Sequence, residues 1–372
     1  MKDRLRCASV PLILSGAMIL SPFNSFTEEK NSNTTWHNVS EWGIEGRAWS
    51  VDELKATYDR LPAKAEKIVR EKVWHLSRTS SGMTCRFNTD ATEITIKYTL
   101  GNKALALPHM PATGVSGVDL YALDSDGAWK WVSCSKPNGV ETVHKIMGID
   151  PGMRSYMAYF PLRNPLLDIS FGVPKGNLLQ PVAPRKDKPI VFYGTSITHG
   201  ACASRPGMSH VAILGRRFDR PVINLGFAGN GTMDPEVGAL LTEIDAAVYI
   251  IDCLPNMDGD QVAERAEPLV KQLRQARSDT PIILVEDRSY TNSWLFKNLR
   301  ERHEKSRSAL VQAYDKLVIS GVENLFYLAG DHLLGDDTEG TTDGSHPSDL
   351  GFLRQADAFE PVIRQALDTK NH

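Results

Sequence analysis

The sequence has few cysteines, and their spacing matches no metal site or redox pair. It contains five, at positions 7, 85, 134, 202 and 253, with no CxxC pair and no zinc-ligand spacing. Cys85 and Cys134 both fall in the N-terminal half, where an oxidising compartment would allow them to form a disulfide. We favour the alternative that they are buried free thiols, which behave as small apolar side chains.

A strong net charge is also missing. The formal charge is −3 at pH 7, and there is no long basic run. Nucleic-acid binding depends on clustered basic residues, so nucleic acid is not expected as a partner. Hydrophobic residues make up 41% of the chain and charged residues 23%, as in soluble globular proteins. At 372 residues the chain exceeds the usual size of one hydrophobic core, which favours two domains.

Long hydrophobic runs are absent apart from one near the start. Residues 10–20 are mostly apolar but too short to span a bilayer, and Lys2, Arg4 and Arg6 precede them. A charged segment followed by a short apolar segment is typical of a secretory signal peptide, which we assign to residues 1–25. A buried N-terminal helix is the alternative. The pattern predicts a secreted or periplasmic protein without a stable membrane span.

The N-terminal half has the pattern of short β-strands. Residues 93–98 alternate polar and apolar side chains, as a half-buried strand does. Gly and Asn-Gly turns separate this segment from similar ones at 118–122, 128–132 and 166–171. We therefore predict an all-β, jelly-roll-like sandwich over residues 36–175, with a short helical turn within 56–69.

A linker rich in Pro, Lys and Arg is predicted at 176–188. After it, the alternating pattern of the N-terminal half gives way to apolar runs separated by segments of helical spacing. Continuous apolar runs occur at 189–193, 222–225, 247–251, 282–285 and 325–328. Helical spacing occurs at 207–218, 234–243, 259–277, 297–319 and 348–367. Strands alternating with helices predict a parallel sheet covered on both faces, a flavodoxin-like three-layer α/β/α domain over 189–370. Ligands of such sheets bind at the carboxyl ends of the strands.

The first of these strand ends carries a serine. Gly194 and Thr195 precede Ser196, and the glycine permits a tight turn that would lift the serine towards the crevice. Alone, Gly-x-Ser is more often an ordinary turn or helix cap. It is not the G-x-S-x-G nucleophile elbow, because Thr198 occupies the position of the second glycine.

The second and third strand ends carry a glycine-rich loop and an asparagine. The loop at 226–231 contains Gly229 among three glycines, so its backbone is able to approach a ligand closely. A phosphate-binding loop is the alternative, but the spacing is not G-x-G-x-x-G and no basic residue lies within it. Asn256 follows Pro255 at the end of the third strand, where an ordinary turn residue is the simpler interpretation.

The fifth strand leads to a candidate acid–base pair. Asp343 precedes His346 by three residues, and Gly344 between them allows the carboxylate to turn back onto the imidazole. A histidine base needs such a partner to fix its tautomer and to stabilise the imidazolium. Pro347 suits the first position of the last helix, so an ordinary helix N-terminus with acidic flanks is the alternative.

Taken in order, these segments resemble the SGNH (GDSL) hydrolase family over about residues 189–367. The segment 194–196 is similar to the family's first block, although Thr195 and Met257 stand where the family more often has Asp. The matches to the later blocks are Gly229, Asn256, Asp343 and His346. Residues 117–121, Gly-Val-Asp-Leu-Tyr, resemble the GxDLY N-terminal domain of one secreted, mostly Bacteroidetes, branch of these enzymes.

The resemblance implies a serine esterase mechanism. Ser196 would be the nucleophile, His346 the base and Asp343 its partner, with no metal or organic cofactor. The oxyanion donors would be the backbone N–H groups of Ser196 and Gly229 and the side-chain amide of Asn256. The nearby histidines at 199 and 210 are not assigned as the base, because neither has a carboxylate at suitable spacing. The first of them would line the pocket or lie on a surface loop.

The substrate expected from the resemblance is a small-molecule or oligosaccharide ester, with short acyl groups such as O-acetyl on carbohydrate. Alternatives are a lipid or thioester hydrolase, an acyltransferase to a sugar, and a glycan-binding protein with a decayed site. A rigid loop at 108–111 would be able to reach the site. Trp129 and Trp131 alternate to one face, for which we favour core packing over sugar stacking.

Overall fold

The computed structural model describes residues 33–368. The predicted signal peptide at 1–25 lies outside these residues. Within them, no helix combines the length and the apolar character needed to cross a membrane.

The first half of the described chain is a jelly roll. Its strands are β1 (Thr34–Asn38), β2 (Thr84–Thr89), β3 (Glu93–Leu100), β4 (Asp119–Leu123), β5 (Trp129–Cys134), β6 (Glu141–Met147), β7 (Arg154–Tyr159), β8 (Leu166–Pro174) and β9 (Leu179–Val182). One antiparallel sheet has the order β1-β8-β3-β6 and the other β5-β4-β7-β2-β9. Strands β1 to β8 have the two four-stranded orders of a jelly roll, and β9 is a ninth strand at the edge beside β2, so the predicted jelly-roll-like sandwich is confirmed.

The two sheets enclose an aromatic core. Phe87 on β2 stacks on Tyr156 of β7 at 5.3 Å and meets Phe171 of β8 across the sandwich at 4.7 Å between ring centroids. Ile94 and Ile96 on β3 are fully buried in the same cluster, as the alternation of this strand predicts. Burial of one such side chain stabilises a fold by roughly 1.5–3 kcal/mol, so this core holds the two sheets together.

Two elements of this half differ from the sequence prediction. Strand β9 lies inside the predicted linker, so the linker assignment is wrong for residues 179–182; Pro181 is tolerated there because β9 is an edge strand that pairs only with β2. A helix α1 (Glu71–Ser77) follows the predicted helical turn, which itself is a 3₁₀ segment at Ala63–Lys67. Val73 and Trp74 of α1 are buried against the α/β half, a contact that local sequence does not reveal.

The second half is the predicted α/β layer structure. Its parallel sheet contains β10 (Ile190–Gly194), β11 (Val222–Gly226), β12 (Val248–Asp252), β13 (Ile282–Val285) and β14 (Leu325–Leu328) in the order β11-β10-β12-β13-β14. This 2-1-3-4-5 order is that of flavodoxin-like folds. The strands are buried over almost their whole length, which explains their largely apolar sequences.

Helices cover both faces of this sheet. After the four-residue α2 (Ala112–Val115) of the first half, they are α3 (His210–Arg217), α4 (Pro235–Leu241), α5 (Gly259–Ala276), α6 (Lys297–Ile319) and α7 (Asp349–Asp368). Apolar residues of α4, α5 and α6 pack in one cluster, and those of α3 and α7 pack in the cluster on the other face. The three-layer prediction is therefore confirmed.

The register of the strands brings three strand ends together. Gly194, the last residue of β10, pairs with Gly226 at the end of β11 and with Asp252 at the end of β12. The segments that follow these residues therefore start side by side at the carboxyl edge of the sheet, where the candidate site residues of the sequence lie.

Candidate active site

The turn after β10 exposes a single side chain. From residue 190 to 203, Ser196 is the one residue that is not buried. A Cβ atom on Gly194 would lie 2.1 Å from Oγ1 of Thr198, so the chain has room only for glycine where it leaves the strand. The Thr198 hydroxyl in turn donates to the carboxylate of Asp252. This packing fixes the turn and leaves Ser196 at the surface of the crevice.

Ser196, His346 and Asp343 lie in a hydrogen-bonded line. Ser196 Oγ is 2.9 Å from His346 Nε2, and His346 Nδ1 is 2.8 Å from Asp343 Oδ2. The other oxygen of Asp343 accepts the backbone N–H groups of Ser345 and His346. Gly344 has φ +89°, a left-handed conformation that lets the chain turn back between the two residues. The structure thus brings together the three residues that the sequence proposes as an acid–base–nucleophile set.

The environment keeps Asp343 ionised. Partial burial favours its neutral form, but the hydrogen bonds from the His346 backbone and ring and from the Ser345 backbone outweigh burial, so the pKa of Asp343 lies below its ordinary value. The ionised carboxylate of Asp343 accepts a hydrogen bond from His346 Nδ1, so a neutral His346 ring carries its proton on Nδ1. Its Nε2 is then the unprotonated nitrogen that faces the serine.

The glycine loop lies against the turn that carries the serine, and Asn256 binds this loop. Gly231 packs so closely that a Cβ atom there would lie 2.0 Å from the carbonyl oxygen of Gly194. Its N–H donates to Oδ1 of Asn256 at 3.2 Å, which requires the oxygen of that amide to face the loop and leaves the NH₂ group for another acceptor. Gly229, at φ +67°, is exposed, with open space where a side chain would be.

The end of the fourth strand carries a polar cluster that the sequence analysis did not single out. Asp287, two residues beyond β13, is fully buried and pairs with Arg288 and with Arg302 of α6. Arg288 reaches Ser345 in the loop after β14, and Arg302 reaches the backbone on both sides of Asn256. Aspartate and arginine after a strand carry no motif of their own, so only the folded structure reveals the cluster.

The jelly roll contributes to the same site. The ring of His109 lies 5.6 Å from the ring of His346 between centroids, so the loop predicted at 108–111 does reach the crevice. Helix α2, which follows this loop, packs against the segment after the nucleophile turn: the Thr113 hydroxyl donates to the carbonyl of Ser204, and a Cβ atom on Gly114 would lie 2.3 Å from the carbonyl oxygen of Ala203.

The GxDLY segment forms hydrogen bonds with the α/β half. Asp119 is fully buried and accepts from Arg205 Nη1 at 2.8 Å, from the Gly207 N–H and from the Trp131 indole. Trp131 is 53% exposed, so the core-packing prediction is wrong for this tryptophan, whereas Trp129 is partly buried and packs against a small cluster that includes Tyr121 and Tyr159. The indole of Trp131 instead stacks with the Arg205 guanidinium, a contact between distant segments.

Two further histidines lie away from the reaction chemistry. His199 is fully buried, with Nε2 within hydrogen-bond distance of Thr79 and Arg60, so it neither lines the pocket nor lies on a surface loop. Burial, with a smaller effect of the Arg60 charge, holds the pKa of His199 well below its ordinary value. His210 is buried among phenylalanines at the start of α3. Their burial agrees with the prediction that neither histidine is the catalytic base.

The cysteines of the described residues are all free, so the prediction of free thiols at Cys85 and Cys134 is confirmed. Cys202 lies next to the candidate site, and its sulfur, an Asp343 oxygen and a His346 nitrogen lie within 4.8 Å of one another. Burial raises the pKa of the Cys202 thiol to about 11, which disfavours the thiolate that a soft metal ion needs. This geometry fits a hydrogen-bonded hydrolase site better than a metal site.

Comparison with known families accounts for both halves of the chain. The model of the GDSL-like lipase/acylhydrolase family matches residues 187–364, and the GxDLY model, described as the N-terminus of SGNH hydrolase-type esterases, matches residues 34–179. A solved structure from Bacteroides ovatus ATCC 8483, described as a GDSL-like lipase, is 31% identical, with a TM-score of 0.86 over 90% of this chain and 98% of that chain. A search of curated proteins found no match.

The fold and these matches define an ester-hydrolysing α/β enzyme. The chain belongs to the GDSL-like lipase/acylhydrolase family, in the form that carries a GxDLY domain at its N-terminus.

Two more distant structures share the fold. The salicylyl-acyltransferase SsfX3 from a tetracycline biosynthetic pathway is 19% identical, with a TM-score of 0.72 over 90% of this chain and 98% of that one. A family two carbohydrate esterase from Cellvibrio japonicus is 14% identical, with a TM-score of 0.58 over the same shares. At these identities the likeness concerns the architecture.

Proposed function

We propose that the protein is a secreted serine esterase that removes short acyl groups, O-acetyl groups of carbohydrates in particular, through an acyl-enzyme. The observation that carries the mechanism is the line from Ser196 Oγ through the His346 ring to Asp343, with 2.9 and 2.8 Å between the bonded atoms. Both spacings are short enough for proton transfer at the serine and for orientation of the ring.

The first half-reaction forms the acyl-enzyme. His346 Nε2 takes the hydroxyl proton of Ser196 while the oxygen attacks the ester carbonyl, and Asp343 stabilises the resulting imidazolium. The carbonyl oxygen becomes an oxyanion, for which we propose the N–H groups of Ser196 and Gly229 and the NH₂ group of Asn256 as donors. The imidazolium then gives its proton to the leaving alcohol, and the C–O bond of the ester breaks.

The second half-reaction returns the enzyme to its starting state. Water loses a proton to His346 as it attacks the acyl carbonyl, and the same donors hold the second oxyanion. Collapse of this intermediate releases the carboxylic acid and reprotonates Ser196. In this proposal, His346 is the proton acceptor and the proton donor of both half-reactions.

A carbohydrate ester is the proposed substrate for two reasons. Carbohydrate esterases share this two-part fold. In addition, His109 places a second imidazole beside His346, where a polar alcohol such as a sugar hydroxyl would find a hydrogen-bond partner. A lipid or thioester acyl group is the second candidate, and the rates on p-nitrophenyl esters from acetate to decanoate separate the two.

Acyl transfer is the other candidate activity, because an acyltransferase shares the fold over 90% of this chain. It uses the same acyl-enzyme, with a hydroxyl of a sugar in place of water. Product analysis by mass spectrometry after reaction in the presence of a polyol distinguishes an acylated polyol from free acid.

The central experiment measures acetate release from a panel of acetylated plant and host polysaccharides, together with p-nitrophenyl acetate hydrolysis. Ser196→Ala is expected to abolish both, whereas Ser125→Ala, in an exposed turn, is expected to leave both unchanged. Equal p-nitrophenyl acetate rates for the wild type and Ser196→Ala would contradict the proposal. Cell fractionation of the full chain, with sequencing of the mature N-terminus, tests secretion.

A further inference from the structure

Asp287 occupies a central position behind the site. It follows the fourth strand, and its side chain is fully buried. One carboxylate oxygen pairs with Arg288, and the other accepts from Arg302 Nη1 at 2.6 Å. His303 Nδ1 lies 3.3 Å from the second oxygen, while its Nε2 accepts the backbone N–H of Tyr290, so a neutral ring carries its proton towards Asp287. Two arginines therefore donate to one buried carboxylate, and the His303 ring lies against it.

Arg302 connects this carboxylate to the loop after β12. Its Nη2 donates to the carbonyl oxygen of Pro255 at 2.9 Å and to that of Met257 at 3.3 Å. These two carbonyls flank Asn256 on either side. Because a guanidinium is planar and rigid, its contacts to Asp287 and to both carbonyls fix the height and the tilt of the loop that carries the Asn256 amide.

Arg288 connects the same carboxylate to the loop after β14. Its Nε donates to the carbonyl oxygen of Ser345 at 3.1 Å, and its Nη2 donates to the Ser345 hydroxyl. Ser345 lies between Asp343 and His346 in the chain. One buried carboxylate is thus linked, through two arginines, to the loop of the proposed base and to the loop of the proposed oxyanion donor.

We infer that Asp287 is a positioning residue that sets the Asn256 amide and the His346 ring relative to each other through Arg302 and Arg288. The inference rests on the proposed function, because it assigns these two groups to the same transition state. Asp287 touches neither substrate nor reacting atoms. It acts by holding the two arginines whose donors fix the two loops.

The energetics favour a rigid link. Burial alone would favour neutral Asp287, but the charges of Arg288 and Arg302 and the contact with His303 outweigh it, so the pKa of Asp287 lies well below its ordinary value. The carboxylate therefore stays charged across the working pH range and keeps both arginines in place. Displacement of a reacting group by about 1 Å costs on the order of 100-fold in rate, so loosening either loop would affect turnover.

A double-mutant cycle tests the inference. Arg302→Ala, Asn256→Ala and the double variant are compared by kcat and KM on p-nitrophenyl acetate. If Arg302 acts through Asn256, Arg302→Ala lowers kcat by about 10-fold or more with KM little changed, and costs less than about 2-fold once Asn256 is alanine. Equal fold losses in both backgrounds would overturn the inference. Arg302 is partly exposed, so its removal is compatible with folding.

Arg274→Ala is the matched control. Arg274 of α5 also caps backbone carbonyls, those of residues 277, 278, 280, 323 and 324, but these precede β13 and β14 at the amino ends of the strands, away from the site. A purely structural role for Arg302 would make the two variants alike, with a lower melting temperature and a small effect on kcat that is independent of Asn256. If Asp287 acts as inferred, only the kcat loss of Arg302→Ala, and not that of Arg274→Ala, depends on whether Asn256 is present.

Two further variants separate the possible failures. Asp287→Asn is expected to lower kcat more than Arg302→Ala, because it releases both arginines; an Asp287→Asn protein that folds and retains wild-type kcat would overturn the inference. Ser196→Ala is included in the same assay. Activity of Ser196→Ala would refute the proposed function itself, whereas an inactive Ser196→Ala protein with an additive Arg302–Asn256 cycle would refute only the role of Asp287.

Discussion

The imidazoles of His109 and His346 lie 5.6 Å apart between ring centroids, although one belongs to the jelly roll and the other to the α/β half. The jelly roll is therefore part of the wall of the crevice. This contact places the His109 side chain where the alcohol part of a substrate would pass the proposed base.

We expect His109→Ala to affect substrates selectively. The imidazole is able to hydrogen-bond a sugar hydroxyl but has little to offer a nitrophenyl group, so KM for an acetylated oligosaccharide should rise by roughly 5- to 10-fold, the cost of one hydrogen bond. The kcat for p-nitrophenyl acetate should change little. Steady-state kinetics on both substrates measures the difference, with His75→Ala, an exposed histidine on α1, as control. Equal changes on both substrates would show that His109 acts on the base and not on the alcohol.

The GxDLY segment explains how the jelly roll stays in register with the site. Asp119 holds Arg205 and Gly207, and the neighbouring Ser204 donates through its N–H and hydroxyl to Asp349 at the start of α7, just beyond His346. The turn after the proposed nucleophile and the segment after the proposed base are thereby tied to one buried carboxylate of the N-terminal half.

Asp119→Asn should therefore cost both stability and activity. Removing the charge deprives the Arg205 guanidinium of its ionic partner and leaves it only the Tyr121 hydroxyl and the aromatic rings, and breaking a buried pair typically costs about 3–5 kcal/mol. Because Arg205 adjoins Ser204, kcat should fall as well. Urea unfolding and p-nitrophenyl acetate kinetics measure the two effects, with the exposed Asp126→Asn as control. A stable Asp119→Asn protein with a normal unfolding midpoint would contradict this role.

Stability at acid pH should depend on His210. Burial lowers the pKa of His210 to about 3, and neither ring nitrogen has a partner among the described residues. The ring stacks on Phe352 with an interplanar angle of 9°. The unfolded chain binds a proton below about pH 6.5 whereas the folded chain does not, so this histidine lowers stability as the pH falls from there towards 3.

His210→Phe keeps an aromatic ring against Phe352 and removes the titration. We expect a gain in melting temperature that is larger at pH 5 than at pH 8, with a contribution to the slope of at most about 1.4 kcal/mol per pH unit. Thermal unfolding at both pH values measures it. The same gain at both pH values would mean that the ring is not neutral and buried as the structure shows; His75→Phe, at an exposed position on α1, is the control.

The strands and helices of the α/β half were predictable because each is long, buried on a known face and strongly periodic. Helix α6 has the predicted bounds, 297–319, and β13 has the predicted bounds, 282–285. Strand β9 was missed because its sequence contains proline and polar residues, and only its pairing with β2 makes it a strand. Sequence periodicity reports burial along one element and not the partner across a sheet.

The site residues also fall into a group that the sequence predicts and a group that only the fold reveals. Ser196 and His346 carry chemistry that the residue types themselves suggest, so sequence order at the strand ends was enough to propose them. Asp287 and Arg302 have no local signature, because a buried ion pair is defined by residues that meet only in the fold. The exposure of Trp131 was not predicted either. The indole donates to Asp119 on the neighbouring strand, a contact that the sequence around Trp131 does not indicate.

Asn256 offers the most direct test of the proposed oxyanion site. Its Oδ1 accepts the Gly231 N–H, so the NH₂ group is the part that would meet an oxyanion. Asn256→Ala removes that donor and should lower kcat by on the order of 100- to 1000-fold with little change in KM. Asn256→Asp keeps an acceptor for Gly231 but replaces the donor with a second oxygen that repels the oxyanion. It should therefore lose at least as much activity while melting close to the wild type. An Asn256→Asp protein with kcat well above that of Asn256→Ala would mean that this side chain serves the loop and not the transition state.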